Sequence, residues 1–129
     1  KAGSSCTQTI CLTDLFTTAV EIAGAKVPQG SAEDSFTLLP LLKGKTSDSP
    51  RPPVIHHSVD GMFSIRDGKW KLVLGNGSGG REKPNGRPFQ EPFFLVDLSQ
   101  DISEQKNLID EHPDVAARLR SKFEAIRNQ

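Results

Sequence analysis

The sequence has no long apolar run and no excess of charge of one sign. Its longest apolar run is the four residues at 93–96, whereas a helix that crosses a bilayer needs ~20. Sixteen lysine and arginine residues balance sixteen aspartate and glutamate residues, so the formal net charge is zero. That balance supplies no general attraction to nucleic acid or to anionic lipid. We therefore expect no nucleic-acid partner and no membrane partner.

Cysteine is also scarce. Cys6 and Cys11 are the two cysteines among 129 residues, too few for a disulfide framework and without the companions that a zinc site needs. Whether they form a bridge stays open. Residue 1 is lysine, and the first ten residues carry no apolar stretch typical of a signal peptide. We interpret the sequence as a processed chain or an excised segment.

The apolar share of the sequence is low, at 35%, against ~45–50% in a typical globular chain. A length of 129 residues nevertheless suffices for one modest core. Eleven glycines and nine prolines favour long ordered loops over disorder. We predict a single domain over residues 1–129.

An amphipathic helix is predicted near the N-terminus, over residues 13–24. Thr13 or Asp14 is positioned to cap its start, and Gly24 can adopt the left-handed conformation that ends a helix. A short helix or turn is expected within residues 35–43. The apolar stripe of the first helix consists of Leu15, Phe16, Ala19, Val20, Ile22 and Ala23.

The rest of the chain alternates strand signals with turns and ends in a helix. After a proline-rich linker at 47–53, strands are predicted at 54–57, 62–66, 69–74 and 93–98, with a long loop at 75–92. Asp67-Gly68 is the strongest hairpin signal. The closing helix covers residues 113–128, with a buried stripe of Val115, Leu119, Phe123 and Ile126. This pattern predicts an α+β fold in which a small antiparallel sheet of about four strands packs against the C-terminal helix.

Two segments invite comparison with known ligand-binding loops. Residues 75–80 match G-x-G-x-x-G after a strand, but the proline-rich residues that follow cannot open the helix that a dinucleotide site requires. We favour a flexible loop, and a solvated loop tip over an anion clamp for Arg81, Lys83 and Arg87. Asp97, Ser99, Asp101 and Ser103 have the spacing of a calcium loop. Ile102 and Leu108 replace its required glycine and glutamate, so a turn capped by Asp and Ser side chains is favoured.

His56 and His57 are adjacent in a predicted strand, where neighbouring side chains point to opposite faces. They are therefore poorly placed to chelate one metal ion, and at most one of them should face a pocket. Contact with an anionic or sugar ligand and a structural hydrogen-bonding role both remain open for the pair. The sequence contains no complete nucleophile motif.

Four segments, taken in order, match the pattern of one enzyme family. Residues 13–24 contain T-D-L-F and E-I-A-G, residues 34–44 contain D-S-F and L-L-P-L-L-K-G, and residues 65–72 read I-R-D-G-K-W-K-L. Residues 95–98 read L-V-D-L and are followed by Asp101, Glu104, Asn107 and Leu108. Together these segments resemble the C-terminal subdomain of the formylglycine-dependent sulfatases of the alkaline phosphatase superfamily. Departures from the family pattern include Thr17 for proline, Ser35 for glycine, Val96 for tyrosine and Ile102 for proline.

The resemblance does not extend to the catalytic machinery of the family. Its nucleophile motif is C/S-x-P-x-R, whereas Cys6 is followed by T-Q-T-I and Cys11 by L-T-D-L. The resemblance implies a subdomain without cofactors of its own and inactive alone, whose parent uses calcium and formylglycine. Its expected partners are the absent N-terminal catalytic domain and, through the parent, a sulfated carbohydrate or aryl sulfate. A periplasmic or secreted location is expected, and an apolar face should be exposed where the catalytic domain packs.

The resemblance also gives candidate site residues. His56 and His57 precede the hairpin, with Arg66 behind them, and are the candidate substrate-binding residues. One alternative is a non-catalytic carbohydrate-binding or interaction module. Another is a subdomain of a phosphate or phosphonate ester hydrolase of the same superfamily, because these segments do not identify the anion that is cleaved.

Overall fold

The computed structural model of the protein describes residues 3, 5–45 and 51–128. Its helices are α1 (Asp14–Ile22), α2 (Leu39–Leu42) and α3 (Pro113–Arg127), and its strands are β1 (Val54–His57), β2 (Phe63–Asp67), β3 (Trp70–Leu74) and β4 (Phe94–Asp97). The predicted α+β fold, with a four-stranded antiparallel sheet and a helix toward each terminus, is confirmed. Residues 47–50 of the predicted linker lie outside the described residues. Within the described ranges, none of the helices is long and apolar enough to span a membrane.

The chain divides into two compact units, the N-terminal unit Lys1–Pro52 and the C-terminal unit Pro53–Gln129. The division falls at the end of the predicted proline-rich linker. That residues 1–129 act as a single subdomain stays a prediction.

The sheet of the C-terminal unit runs in the order β1-β2-β3-β4, and every neighbouring pair is antiparallel. Asp67 pairs with Trp70, so the hairpin turn consists of residues 68 and 69. The turn therefore lies one residue later than the Asp67-Gly68 pair predicts. Asp67 stays in the strand, where its carboxylate accepts hydrogen bonds from Lys122 at 2.7 Å and Arg118 at 2.9 Å.

The core of the C-terminal unit lies between the sheet and α3. Ile65, Leu72 and Leu95 are Cα partners across three strands and are fully buried. Leu119 and Phe123 of α3 are buried in the same cluster, and the other two residues of the predicted stripe pack half-buried at its margin. The periodicity of α3 thus predicts correctly which side of the helix packs on the sheet.

In the N-terminal unit, α1 buries polar residues and exposes apolar ones. Asp14 and Thr18 are its buried residues, and the Thr18 hydroxyl donates to the Asp14 carbonyl at 2.6 Å and accepts from the Leu38 amide at 2.8 Å. Gly24 follows the helix with the predicted left-handed φ, +69°. Three apolar residues of the stripe are more than half exposed: Leu15 (55%), Phe16 (51%) and Ile22 (64%). The expected exposed apolar face is therefore present on α1.

The predicted capping of α1 by Thr13 or Asp14 is wrong. Thr13 occupies the N-cap position but makes no side-chain capping bond. The fully buried Asp14 carboxylate instead accepts from the Cys11 amide at 2.8 Å and the Phe36 amide at 3.1 Å. It also accepts from Nε and Nη2 of Arg51, at 2.7 and 3.0 Å. A tertiary ion pair thus takes the carboxylate that would have capped the helix.

Candidate functional site

The C-terminal unit carries a cavity of about 540 Å³ on the sheet face opposite α3. Alternate residues of each strand point to this face, and one cross-strand row, from β1 to β4, is His56, Ser64, Val73 and Phe94. All four line the cavity. The walls come from the glycine-rich loop that starts at Gly75 and from the segment after β4. The cavity is therefore built by the strand alternation that also builds the core.

His56 lies on the cavity face. Its Nε2 shares a 2.7 Å hydrogen bond with the hydroxyl of Ser64, which is itself buried. Burial lowers the pKa of His56, and the positive charge of Lys71 lowers it further, although Glu104 opposes this shift. The imidazole is therefore neutral at pH 7, since even an unperturbed histidine titrates near pH ~6.5.

His57 also lines the cavity, but its ring lies toward the other face of the sheet. The ring centroid is 5.5 Å from that of Phe63, and Nδ1 donates to the Ser58 carbonyl at 2.9 Å. The predicted division of the two rings between opposite faces is confirmed. Both residues border the same cavity at the end of β1, and the expectation that at most one of them faces a pocket stays a prediction.

Arg66 does not join the two histidines in the lining of the cavity. It lies on the same sheet face as His56, one alternation further along β2, and its Nε donates to the Gly68 carbonyl at 3.2 Å. Its guanidinium is thus held at the hairpin turn. Among the described lining residues, the Lys or Arg side chain is that of Lys71, the cross-strand partner of Arg66.

Lys71 and Glu104 form an ion pair in the cavity that sequence reasoning missed. The ammonium donates to both carboxylate oxygens, at 2.7 and 2.8 Å, and the Lys71 side chain is 17% exposed. The strand alternation that places Trp70 and Leu72 toward the core places Lys71 on the cavity face, and this signal could have identified it. Glu104 is distant in sequence, so only the fold reveals its partner.

Asn107 holds the segment after β4 against the strand. Its Oδ1 accepts from the Leu95 amide at 2.9 Å and the Ile109 amide at 3.1 Å, and its Nδ2 donates to the Phe93 carbonyl at 2.9 Å. These bonds fix the wall of the cavity that carries Glu104. The D-x-x-E-x-x-N-L pattern therefore has a structural purpose in this chain.

The glycine-rich loop brings two backbone segments into close contact. A Cβ on Gly77 would lie 2.3 Å from the backbone nitrogen of Gly86, and one on Gly86 would lie 2.3 Å from that of Gly77. A Cβ on Gly75 would overlap the Met62 side chain. No side chain fits at these positions, which explains the glycines without a phosphate ligand. Arg81, Lys83 and Arg87 are exposed along this loop.

The acidic segment that follows β4 is a capped turn, as favoured from the sequence. Asp97 accepts from Lys69 Nζ at 2.6 Å and from the Ser99 hydroxyl at 2.6 Å. Asp101 accepts from the backbone amides of Gln105 at 2.7 Å and Lys106 at 2.8 Å. Across the described ranges, no three His, Cys, Asp or Glu side chains are grouped to hold a metal ion.

Sequence comparison finds several sulfatases similar to the chain. Arylsulfatase A of Bos taurus is 33% identical over 117 residues, which cover 80% of the chain. The N-acetylgalactosamine-6-O-sulfatase of Bacteroides thetaiotaomicron is 27% identical over 90% of the chain, and arylsulfatase K of Mus musculus is 27% identical over 99% of it. The chain spans 23% of the length of each of these relatives. No protein-family model matches.

Solved structures share the fold. A Bacteroides thetaiotaomicron protein designated BT33336S-sulf, from work on the metabolism of multiple glycosaminoglycans, superposes with a TM-score of 0.71 over 90% of the chain and 24% of its own, at 24% identity. BT4656, determined with its substrate D-glucosamine-2-N,6-O-disulfate, superposes with a TM-score of 0.64 over 89% of the chain and 23% of its own, at 19% identity. At these identities the superpositions establish the fold.

Proposed function

From the premise that this chain is related to the sulfatases over most of its length, we propose that it is the substrate-side, C-terminal subdomain of a sulfuric ester hydrolase. The carrying observation is the cavity on the open sheet face, where His56 and His57 border one space with Lys71. The activity belongs to a longer parent, since the relatives are about four times as long. The chain alone is inactive in this proposal.

The exposed face of α1 supports a partner for the N-terminal unit. Leu15, Phe16 and Ile22 are each more than half exposed, and the preceding residues Ile10 and Leu12 are 56% and 84% exposed. A contiguous exposed apolar patch usually marks an interaction site, and these residues are the candidates for such a patch. We assign it to the catalytic domain of the parent, which would bury it.

The chemistry of the cavity and the names of the relatives support a proposal for the substrate class. One relative is an N-acetylgalactosamine-6-O-sulfatase, and one structural neighbour holds a sulfated glucosamine as its substrate. A sulfated carbohydrate is therefore the proposed substrate. His56 and His57 would bond the hydroxyl groups of the sugar, with Arg66 available beyond the cavity, and each such neutral hydrogen bond contributes ~0.5–1.5 kcal/mol.

Calcium and formylglycine do not fit the residues of this chain that the structure describes. Cys6 and Cys11 are free thiols outside the C/S-x-P-x-R pattern, and no acidic cluster in the described part of the chain is arranged as a metal site. We assign both groups to the parent's catalytic domain. A periplasmic or secreted location belongs to the same proposal.

Steady-state kinetics of the parent enzyme test the cavity assignment. His56→Ala and His57→Ala should each raise KM or lower kcat for the sulfated substrate, because both residues border the proposed substrate cavity. His112→Ala is the control, since that ring packs on Trp70 at 5.1 Å, away from the cavity lining. Unchanged kinetics for both cavity variants would remove the assignment.

A second experiment addresses the catalytic claim. The isolated chain, supplied with calcium and an aryl sulfate, should give no hydrolysis above the buffer blank. Hydrolytic activity that co-elutes with the chain in chromatography would show that the chain holds a catalytic centre of its own.

A further inference from the structure

The lysine and glutamate charges in the described lining of the cavity balance each other. Its described lining contains one ammonium, Lys71, and one carboxylate, Glu104, joined at 2.7 and 2.8 Å. Of the histidines, His56 is neutral at pH 7 because burial and the Lys71 charge lower its pKa. A free sulfate ion in the cavity would contact an ammonium whose charge Glu104 already balances. The ion would lose its hydration shell without gaining a net electrostatic attraction.

Glu104, which makes this pair, has an uncommon backbone conformation. Its φ is +55°, in the left-handed region that L-residues other than glycine, asparagine and aspartate rarely occupy. Such conformations persist where the surrounding structure imposes them, and they concentrate at functional positions. Here the Asn107 bonds to Leu95 and Phe93 fix the same segment against β4. The carboxylate is thus directed at Lys71 by the fold.

The remaining polar groups suit an uncharged ligand. Ser64 presents a hydroxyl, which both donates and accepts, and His56 keeps Nδ1 without a partner among the described residues while Nε2 bonds Ser64. Phe94, which also lines the space, adds apolar surface beside them. Polar groups beside an aromatic side chain match a pyranose ring, whose faces are apolar and whose edges carry hydroxyls.

We propose that Glu104 is a positioning residue that sets the charge selectivity of this cavity. By balancing Lys71, it gives a site for the uncharged, hydroxyl-bearing ring of a sugar and disfavours the sulfate group. This inference deepens the proposed function, on which it rests, by assigning the cavity to the sugar rather than to the sulfate. Without Glu104, the same cavity becomes an anion site built on Lys71.

Two-dimensional amide NMR on the full chain tests the selectivity, with sodium sulfate and methyl galactoside as separate probes at constant ionic strength. In the wild type, the sugar should shift the amides of Ser64, Val73 and Phe94, and sulfate should not. In Glu104→Gln, sulfate should bind at least about ten-fold more tightly than to the wild type, with sugar binding retained. Glu111→Gln is the matched control, because it removes the same charge from an exposed pair with Lys106 outside the cavity.

A double variant keeps the test decisive if Glu104→Gln does not fold. Combining Lys71→Met with Glu104→Gln leaves the cavity uncharged, so sugar binding without sulfate binding is expected. Sulfate binding at the cavity of the wild type, absence of sugar binding there, or no gain in a folded Glu104→Gln over Glu111→Gln would each overturn the proposal. Unchanged steady-state kinetics of the parent in His56→Ala and His57→Ala would instead reject the proposed function, and the charge selectivity of the cavity would still stand.

Discussion

Replacing Arg51 with methionine should unfold the N-terminal unit or bring it close to unfolding. The side chains of Arg51 and Asp14 are 9% and 0% exposed and meet at 2.7 Å. Arg51→Met keeps an apolar stem but leaves a buried carboxylate without its counter-ion, a change that costs ~3–5 kcal/mol. A unit of 52 residues has a free energy of unfolding of about 3–8 kcal/mol. The loss is therefore comparable with the whole stability of the unit.

Hydrogen exchange of the Phe36 amide, which donates to Asp14 at 3.1 Å, measures this effect in the N-terminal unit alone. Fluorescence of Trp70, the single tryptophan, follows the C-terminal unit and serves as an internal reference. Arg81→Met removes the same charge from an exposed loop and should change neither signal. Loss of less than about 1 kcal/mol, the value of a surface ion pair, would refute the reasoning.

The pH dependence of stability tests the same ion pair independently. Burial alone would raise the pKa of Asp14, but the bonds from Arg51, Cys11 and Phe36 outweigh it, and the folded-state pKa lies below its usual range. The carboxylate therefore stabilises the wild type fully above pH ~4, and this contribution is lost as pH falls through the folded-state pKa. In Arg51→Met, the pKa of Asp14 should rise relative to the wild type because the contribution of Arg51 is lost, so the stability difference between variant and wild type should shrink as pH falls through the two folded-state pKa values. Adding Asp14→Asn to Arg51→Met should likewise recover stability, because no bare carboxylate remains; a further loss in the double variant would contradict the ion-pair account.

Three further predictions concern the C-terminal unit, with urea unfolding followed by Trp70 fluorescence. Gly77→Ala should lose ~1–3 kcal/mol because its Cβ would lie 2.3 Å from a backbone nitrogen, whereas Gly80→Ala, with open space at its Cβ, should change little; equal effects would argue against close backbone packing. Asn107→Ala should lower the free energy of unfolding by ~1–3 kcal/mol because it leaves backbone groups unpaired. It should also speed hydrogen exchange of the backbone amides that Asn107 binds, and unaltered exchange would argue against its role in holding this segment. Burial alone would raise the pKa of Asp67, but the hydrogen bonds from two α3 cations outweigh burial and lower that pKa. Asp67→Asn should therefore destabilise the unit at pH 7 and progressively less as pH falls below ~4. A stability difference that does not depend on pH would refute this explanation.

Much of the fold could be predicted from local pattern. Alternation in residues 69–74 identifies the core face of β3, and the three-four spacing of α3 identifies its buried stripe, because both periods are imposed by backbone geometry. The hairpin is displaced by one residue because Asp67 is drawn into the strand by cations on α3. Local turn propensity carries no information about such a distant partner.

The candidate site could be predicted only in part. The location of the two histidines at the end of β1 could be predicted from the strand pattern, and the opposite orientation of their rings follows from the strand pleat. The shared cavity and the Lys71–Glu104 pair depend on a contact 33 residues apart in sequence. The orientation of α1 could not be predicted from the sequence either, because Asp14 is buried beside Arg51, 37 positions away, and the apolar stripe faces outward.

The sequence by itself determined the α+β class, the number of strands, the buried side of α3 and the relation to the sulfatases. These properties depend on periodicity, turn chemistry and residue order, which are local. Tertiary structure alone decided which polar residues are buried, which loop segments touch and which charges cancel. A buried ion such as Asp14 or a half-buried one such as Lys71 is stable only beside a partner, and the folded chain, not the neighbouring sequence, supplies that partner.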